Sequence, residues 1–379
     1  MQYIQTTGFL HNKDGYDTCG DHIIIRRGRE TTFIIVMDGI GSGPRANICA
    51  QMFGGELTAL LKKGYSLLES CRLTVQSIKA GRAHGNFAAF SAAAVLHSGY
   101  AQIISYEAPI PIFINDGYAY APQPLVHEAG GENLMETDCT LGPGRALVMF
   151  SDGVSEAGVG HGFGYGLGTQ GAADKLNDIY GRGGAGARAA EDLLEYCKQI
   201  SGGRWEDDTS LVFVETRPAI NADILTGPPA EKDMDSRFIE DFRKDRGFKI
   251  ICGSTTLDIY ARHSGAKIQP VKNFNPFEAP TYKVPDIDFA SEGALMLNQL
   301  YNLYELNPVA LDRSSPVARL KELLDNCDKI NFYAGRADNP AQNESMIFSQ
   351  LRILPRAKIV EMLAAKLRKL GKAVAIKQY

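Results

Sequence analysis

Four short acidic motifs, each at the edge of an apolar strand pattern, constrain this chain more than any other feature. They lie within the first 215 residues and are Cys19-Gly20-Asp21, VMDGIGSG with Asp38, MFSDGVSEA with Asp152, and EDDTSLVFV with Asp207 and Asp208. Carboxylates that are far apart in sequence can converge when each lies at the end of a strand. Hard divalent cations such as Mg²⁺ and Mn²⁺ prefer such all-oxygen ligands. The sequence therefore predicts a strand-rich domain with a metal site at its strand ends.

Length and composition set the broad class. A chain of 379 residues exceeds one ordinary hydrophobic core, so two domains are expected. With 44% hydrophobic residues, 22% charged residues and a net charge of -4, the composition is globular and gives no global attraction to nucleic acid. No apolar run is long enough for a membrane span, and the N-terminus has no signal-peptide pattern. We expect a cytoplasmic protein that binds neither nucleic acid nor membrane.

The seven cysteines are scattered and form no C-x-x-C pair. In a chain without a secretory leader, such cysteines are expected to be reduced thiols. No cysteine or histidine cluster has the spacing of zinc ligands. The sequence therefore directs attention to the carboxylates as metal ligands.

Residues 1–217 are predicted to form the first domain. Apolar and β-branched runs predict strands at 22–26, 32–37, 88–95, 101–107, 111–115, 146–151 and 210–216. Helical spacing of apolar residues predicts helices at 45–63, 66–80 and 185–200. Long helices between antiparallel strands predict an α+β fold, a β-sandwich of antiparallel sheets flanked by helices.

Proline, glycine and charged residues cluster in 218–235, which is predicted to be a linker. Residues 236–379 are predicted to form a smaller domain, with strands at 248–252, 329–333 and 373–377 and helices at 292–305, 316–324 and 355–370. Alternating strands and helices predict an α/β layer domain.

Each acidic motif has a functional and a purely structural interpretation. Asp38 follows the buried-strand pattern IIVM, and Gly39 allows the backbone to come close to whatever Asp38 binds. Asp152 and Asp207 occupy similar strand-edge positions. Asp-Gly is also a common turn dipeptide, so any one motif alone is more simply explained as a turn. Four such motifs together, in this order, are far more specific.

The order G-D, DG-x-G-x-G, SDG-x-x-E and DD-x-[TS] resembles the metal-dependent (type 2C, PPM) protein serine/threonine phosphatases, and most closely their bacterial SpoIIE/RsbU-like branch. The resemblance covers about residues 1–217 and implies a PPM-type β-sandwich. It also implies a site for two Mn²⁺ or Mg²⁺ ions. On this resemblance Asp38 bridges the metals, the Gly39 carbonyl binds one of them, and Asp152 and Asp207 are direct ligands. Asp21 matches an acid that acts through metal-bound water.

Three positions qualify the resemblance. Asp208 matches a neighbouring position whose role stays open. Ser210 stands where the family often has threonine, which keeps the hydroxyl. Glu107-Ala108-Pro109 stands where the eukaryotic branch has Gly-Asp-Ser-Arg, a departure shared with the SpoIIE/RsbU-like branch. Two metals are therefore expected rather than three.

The function implied is hydrolysis of a phosphoserine or phosphothreonine by a metal-activated water, without a protein nucleophile. The expected partner is a phosphorylated bacterial regulatory protein, such as one of the anti-sigma-antagonist (STAS) type. Arg26, Arg27 and Arg45 are candidates for orienting phosphate, although a solvated surface role is favoured for each. The alternative function is a non-catalytic signalling module that binds a partner while the second domain senses a ligand. Whether the chain forms a homodimer is left open.

Three further segments are noted. The glycine-rich stretch 160–168 is read as a loop, with a regulatory role as the alternative. The sequence Cys252-Gly253-Ser254-Thr255-Thr256 follows a strand, and Ser254 or Thr255 is expected to cap the next helix; an anion site is the alternative. A similar G-[GS]-T-T loop occurs in the tails of some SpoIIE-like phosphatases. The basic stretch 356–379 is expected to be a solvated helix.

Overall fold

The computed structural model describes residues 2–28, 30–244, 246–271, 278–304, 312, 315–337 and 353–379. The chain divides into two compact units, Met1–Pro218 and Ala219–Tyr379. Each unit has its own sheets and its own hydrophobic core.

The first unit contains two antiparallel sheets. The five-stranded sheet has the order β1 (Gln2–His11), β11 (Thr209–Pro218), β10 (Arg145–Phe150), β6 (Ile112–Asn115) and β7 (Tyr118–Tyr120). The six-stranded sheet has the order β2 (His22–Arg27), β3 (Thr31–Gly39), β4 (Ala88–Leu96), β5 (Tyr100–Tyr106), β9 (Glu132–Thr140) and β8 (Leu125–Ala129). Every strand pairing in both sheets is antiparallel.

The strand β3 has a continuously apolar sequence because both of its faces are buried. Ile34 and Val36 belong to the core between the two sheets. Ile35 and Met37 belong to the core beneath the helices on the other face. Because successive side chains of a strand point to opposite faces, a strand buried on both faces needs an apolar run rather than an alternating pattern.

Helices cover both outer faces of the sandwich. The helices α1 (Pro44–Lys62) and α2 (Leu67–Arg82) pack on the six-stranded sheet. The helices α4 (Gly168–Gly181) and α5 (Gly186–Ile200) pack on the five-stranded sheet, and the short helix α3 (Asp152–Ser155) follows β10. The predicted fold class, a sandwich of antiparallel sheets flanked by helices, is confirmed.

The second unit contains one seven-stranded sheet with the order β14 (Gln269–Pro270), β15 (Thr281–Lys283), β16 (Phe289–Ser291), β13 (Phe248–Cys252), β12 (Asn221–Thr226), β17 (Lys329–Ala334) and β18 (Ala373–Gln378). The five strands from β16 to β18 are parallel. The helices α6 (Asp235–Lys244) and α7 (Ser254–Ser264) pack on one face. The helices α8 (Ala294–Leu303), α9 (Pro316–Asp325) and α10 (Arg356–Lys369) pack on the other. The predicted α/β layer architecture of this unit is confirmed.

The predicted linker over 218–235 is corrected by the structure. Asn221–Thr226 is the central strand β12, paired with β13 and β17, and α6 begins at Asp235. Proline and glycine after this strand, together with Asp223 inside it, hid the strand pattern. The predicted helix 292–305 is observed as α8, and residue 305 lies outside the described residues. Within the described part of the chain, no helix has the length and apolar character needed to cross a membrane.

Candidate metal centre

The alternation of side chains brings the acidic motifs to one end of the layer between the two sheets. Residues of the inter-sheet core include Ile34 and Val36 on β3, Leu147 and Met149 on β10, and Val212 and Val214 on β11. Counting by two from these residues reaches Asp38, Ser151 and Asp208. Because side chains at positions i and i+2 share a face, these three polar residues continue the inter-sheet face at the strand ends. Asp152 follows Ser151 as the first residue of α3.

Asp38 and Asp152 form the centre of the cluster. Burial, followed by the charges of Asp21 and Asp152, raises the pKa of Asp38 well above its ordinary value. Burial, followed by the charge of Asp207, raises the pKa of Asp152 to about 6. The contact between the Asp38 and Asp152 carboxyl groups further raises the pKa of Asp38 and opposes the increase at Asp152. Carboxylates crowded in this way favour a bound proton or a bound cation.

Asp21 precedes β2 and is almost fully buried, with 1% of its surface exposed. Burial raises its pKa to about 6. The hydroxyls of Ser151 and Ser210 lie near enough to oppose that increase, but neither carboxylate oxygen has a hydrogen-bond partner of normal geometry among the described residues. Buried polar atoms without partners are uncommon, because each loses its hydration without compensation.

The two acids of the last motif occupy different environments. The Asp207 side chain is 42% exposed and lies 3.8 Å from the Lys13 ammonium, measured from Oδ1 to Nζ. The negative charge of Asp207 raises the pKa values of Asp38 and Asp152. Asp208 is 3% exposed, accepts a 2.9 Å hydrogen bond from the Lys13 backbone N–H through Oδ1, and its charge acts on Asp21. Its Oδ2 has no partner in the described structure.

Two glycines permit this arrangement. A Cβ atom added at Gly39 would collide with the Ala46 carbonyl oxygen in the first turn of α1. A Cβ atom added at Gly20 would lie 2.7 Å from Asp208 Oδ2. The glycines of the first two motifs therefore allow the helix and the last motif to approach the strand ends closely.

The donors fit Mg²⁺ or Mn²⁺ in chemical type. They are carboxylate oxygens, and three of them, both oxygens of Asp21 and Oδ2 of Asp208, are buried without partners in the described structure. Burial raises the pKa of the neighbouring Cys19 thiol to about 12, so this thiol is protonated at neutral pH when no metal is bound. Among the described residues, no group of three or more acidic, histidine or cysteine side chains has metal-binding geometry as it stands. The carboxylates therefore fit Mg²⁺ or Mn²⁺ in the type of their donor atoms and in lying close to one another.

The three candidate arginines have different surroundings in the structure. Arg27 donates to the Ile4 carbonyl at 2.6 Å and to Thr6 Oγ1 at 3.0 Å, so its guanidinium holds β1. Arg26 is exposed on β2. Arg45 lies in the first turn of α1, the turn that packs over Gly39. Sequence reasoning missed Lys13, whose position depends on the pairing of β1 with β11 and which stands in the turn sequence Asn-Lys-Asp-Gly.

The turn Glu107-Ala108-Pro109 lines a small recess together with Asp38 and Asp152. This is the turn that stands in place of Gly-Asp-Ser-Arg. The structure therefore brings Asp21, Asp38, Asp152, Asp207 and Asp208 into one mutually interacting cluster, with this turn beside it.

Comparison with known proteins gives the family. The family model of Stage II sporulation protein E (SpoIIE) matches residues 28–217, half of the chain. The chain belongs to the SpoIIE family, and the resemblance to this branch of PPM phosphatases is confirmed. Asp38, Asp152 and Asp207 lie within the matched residues, and Asp21 precedes them. No match was found among the curated proteins.

Solved structures with weaker similarity include the RsbU and RsbW domains of a Mycobacterium tuberculosis protein, with 17% identity, 64% of this chain and 67% of that chain covered, and a TM-score of 0.47. The PP2C phosphatase domain of SpoIIE from Bacillus subtilis, with a fragment of its regulatory domain, has 20% identity, 57% and 63% coverage, and a TM-score of 0.46. RsbX in complex with magnesium has 17% identity, 56% and 96% coverage, and a TM-score of 0.42.

Proposed function

We propose that this protein is a metal-dependent protein serine/threonine phosphatase. The observation that carries the proposal is the cluster of five carboxylates at the end of the inter-sheet layer, within and beside the residues of the SpoIIE family match. Asp38, Asp152 and Asp207 would be direct ligands of two Mn²⁺ or Mg²⁺ ions, with the Gly39 carbonyl as a further ligand. Asp21 would act through an intervening water. When bound, such ions lower the pKa of water and offset charge on a phosphoryl group.

The side chains of the chain itself supply the environment for that chemistry. The pKa values of Asp38 and Asp152 are raised, so a cation bound there would displace protons from these carboxyl groups. Lys13 lies at the exposed side of the cluster beside Asp207, where a phosphate group would enter. Asp208 holds the Lys13 backbone in place and so connects the ligand set to β1. These roles require no covalent intermediate with the protein.

The expected substrate is a phosphoserine or phosphothreonine on a bacterial regulatory protein, such as a phosphorylated STAS-type protein. Dephosphorylation of a phosphorylated STAS protein would be compared with hydrolysis of an aryl phosphate. Faster turnover of the phosphoprotein supports this substrate class, and turnover of the aryl phosphate alone contradicts it.

The first test is the variant Asp38→Asn. We expect Mn²⁺-dependent hydrolysis of an aryl phosphate to fall by about 100-fold or more, because even indirect metal contacts are worth roughly 10- to 100-fold. Calorimetric titration should show weaker Mn²⁺ binding in the same variant. The matched control is Asp178→Asn, which removes an exposed acid of α4 and should change neither measurement. Equal activity of Asp38→Asn and wild type would remove Asp38 from the mechanism.

The second candidate function is a non-catalytic signalling module. The two functions differ in a simple titration. A catalytic centre binds Mn²⁺ at millimolar concentration or below with release of protons, whereas absence of binding in that range supports the module.

A further inference from the structure

The carboxyl edge of the sheet in the second unit has the topology of a ligand site. The chain begins in the middle of the parallel strands at β12, proceeds through β13 to β16, and then crosses to β17 on the other side of β12. In open sheets of this order, ligands bind outside the carboxyl ends of the strands, where the strand order reverses. The residues aligned along this edge are Ser291, Cys252, Thr226, Ala334 and Gln378.

Glycine directly follows three of these strands, at Gly227, Gly253 and Gly335. Gly253 has a φ of +140°, a conformation that favours glycine. Its added Cβ atom would lie 2.9 Å from Thr256 Oγ1 and 3.9 Å from the backbone nitrogen of Gly227. The loops after β12 and β13 therefore lie side by side, with backbone rather than side chains facing the space beyond the sheet.

The helix α7 begins at this edge without a side-chain cap. The sequence favoured Ser254 or Thr255 as the cap, but the N-cap is Gly253, and no side chain in the described structure caps the helix. The backbone N–H groups of the first turn, those of Ser254, Thr255 and Thr256, have no partner within the helix. The positive end of an 11-residue helix thus faces the carboxyl edge.

Thr256 gives a second and independent indication. Its side chain is fully buried, yet its hydroxyl has no hydrogen-bond partner among the described residues. The hydroxyl is the atom nearest to the Cβ position of Gly253, so it points back to the N-cap, at the end of the helix where the first-turn N–H groups have no partner within the helix. An unpaired buried hydroxyl is costly, and an oxygen of a ligand at the helix start would satisfy it.

A cation completes the site. Arg356 is the first residue of α10, and its guanidinium lies so close to Gly227 that an added Cβ there would collide with it. One of its nitrogens, Nη2, donates to the Ala337 carbonyl at 2.7 Å. Glu292 also lies at this edge, but its Oε2 accepts the Leu295 N–H at 2.9 Å and so caps α8. The first-turn N–H groups, the Thr256 hydroxyl and the Arg356 guanidinium all offer hydrogen-bond donors, which favours an anion.

We propose that this edge binds the phosphate group of a small phosphorylated molecule, through the first-turn N–H groups of α7, the Thr256 hydroxyl and the Arg356 guanidinium. The loop after β12 reads Gly227-Pro228-Pro229 and lacks the G-x-G-x-x-G pattern, so a single phosphate rather than a dinucleotide pyrophosphate is the group recognised. The site is independent of the carboxylate cluster and makes the second unit a ligand-binding domain.

The experiment uses the full chain carrying Asp38→Asn, in the presence of EDTA, so that phosphate binding at the metal centre does not contribute. Inorganic phosphate and AMP are titrated by calorimetry, with adenosine as the phosphate-free control. Thr256→Val removes the hydroxyl at nearly constant volume. Ser254→Pro removes one N–H at the first helical position, where proline is tolerated. Its matched control, Ser254→Ala, removes the hydroxyl and keeps the N–H.

We expect saturable binding of inorganic phosphate or AMP, with none of adenosine. Thr256→Val and Ser254→Pro should each weaken the binding by about tenfold or more, the range of a hydrogen bond to a charged group. Ser254→Ala should bind like the parent protein. Tighter binding of AMP than of phosphate identifies a nucleotide, and equal binding identifies free phosphate. The proposal is overturned if neither anion binds at millimolar concentration, or if Ser254→Pro and Thr256→Val both bind as Ser254→Ala does.

Discussion

At the scale of single residues, the carboxylate cluster links stability to pH. The folded-state pKa values of Asp21 and Asp152 are raised to about 6, and that of Asp38 is raised as well. The folded state therefore binds more protons than the unfolded state between the ordinary carboxyl pKa and about pH 6. The stability contributed by these groups is fully present below their unfolded pKa values and is lost as pH rises through their folded values.

This loss of stability with rising pH predicts how Asp38→Asn behaves in the absence of metal. Asparagine stays uncharged, so the variant should gain stability over wild type as pH rises through the raised folded-state pKa of Asp38. The measurement is urea unfolding in EDTA at several pH values. The variant Asp178→Asn, which removes an exposed acid of α4, is measured in the same way as the control. A stability difference for Asp38→Asn that shrinks with rising pH would show that Asp38 is not crowded by other negative charge.

At the scale of elements, two glycines beside and within α1 make opposite predictions. Gly39→Ala places a Cβ atom against the Ala46 carbonyl and should cost about 1–3 kcal/mol, the usual range for overpacking. Gly55→Ala adds a Cβ atom that meets no described atom within 4 Å inside the helix, so it should stabilise by up to about 1 kcal/mol. Thermal unfolding of both variants measures the contrast. Equal effects would mean that α1 does not pack tightly over Gly39.

The buried polar network of the central strands gives another prediction. Asp223 is fully buried, and its carboxylate accepts hydrogen bonds from Lys249 Nζ at 2.7 Å and Asn331 Nδ2 at 2.8 Å. Lys249→Met should destabilise the protein by about 3–5 kcal/mol, because it leaves a buried carboxylate without its cation. Adding Asp223→Asn removes that charge and should restore part of the loss. Denaturant unfolding of the single and double variants tests this, and purely additive losses would contradict the pairing.

The sequence predicts the continuously apolar strands β3 and β10, and it also predicts the edge strands β2 and β18. The strands β3 and β10 are continuously apolar because each lies between the inter-sheet core and a helix layer. The edge strands β1 and β8 were missed because they bury little apolar surface. Ile4 is the one fully buried residue of β1, and Leu125 and Val126 of β8 are exposed. The central strand β12 was missed because Asp223 interrupts its apolar pattern.

Some residues of the candidate site could likewise be predicted from the sequence, and others could not. Strand-end position was sufficient to propose Asp38 and Asp152, since it depends only on where an apolar strand stops. The placement of Asp208 against Gly20, and of Lys13 against Asp207, depends on the register of β1 with β11. That pairing joins residues about 200 positions apart, as His11 with Thr209 shows, and no local pattern specifies it.

At the scale of the whole molecule, the two units have separate cores and, on our proposals, separate ligands. A ligand that binds only the folded state stabilises it by about 2.7 kcal/mol at 100 times its Kd. For units of this size the corresponding rise in melting temperature is roughly 5–10 °C. Scanning calorimetry should therefore resolve which unit each ligand stabilises.

We expect Mn²⁺ to raise the melting temperature of one transition and inorganic phosphate, in EDTA, to raise that of the other. Asp38→Asn should remove only the Mn²⁺ effect, and Thr256→Val should remove only the phosphate effect. Lys249→Met should lower the transition that phosphate raises, because Asp223 and Lys249 join the central strands of the second unit. If Lys249→Met lowered the Mn²⁺-sensitive transition to the same extent, the two units would unfold as one cooperative body, and ligand binding in the second unit would be coupled to the stability of the carboxylate cluster.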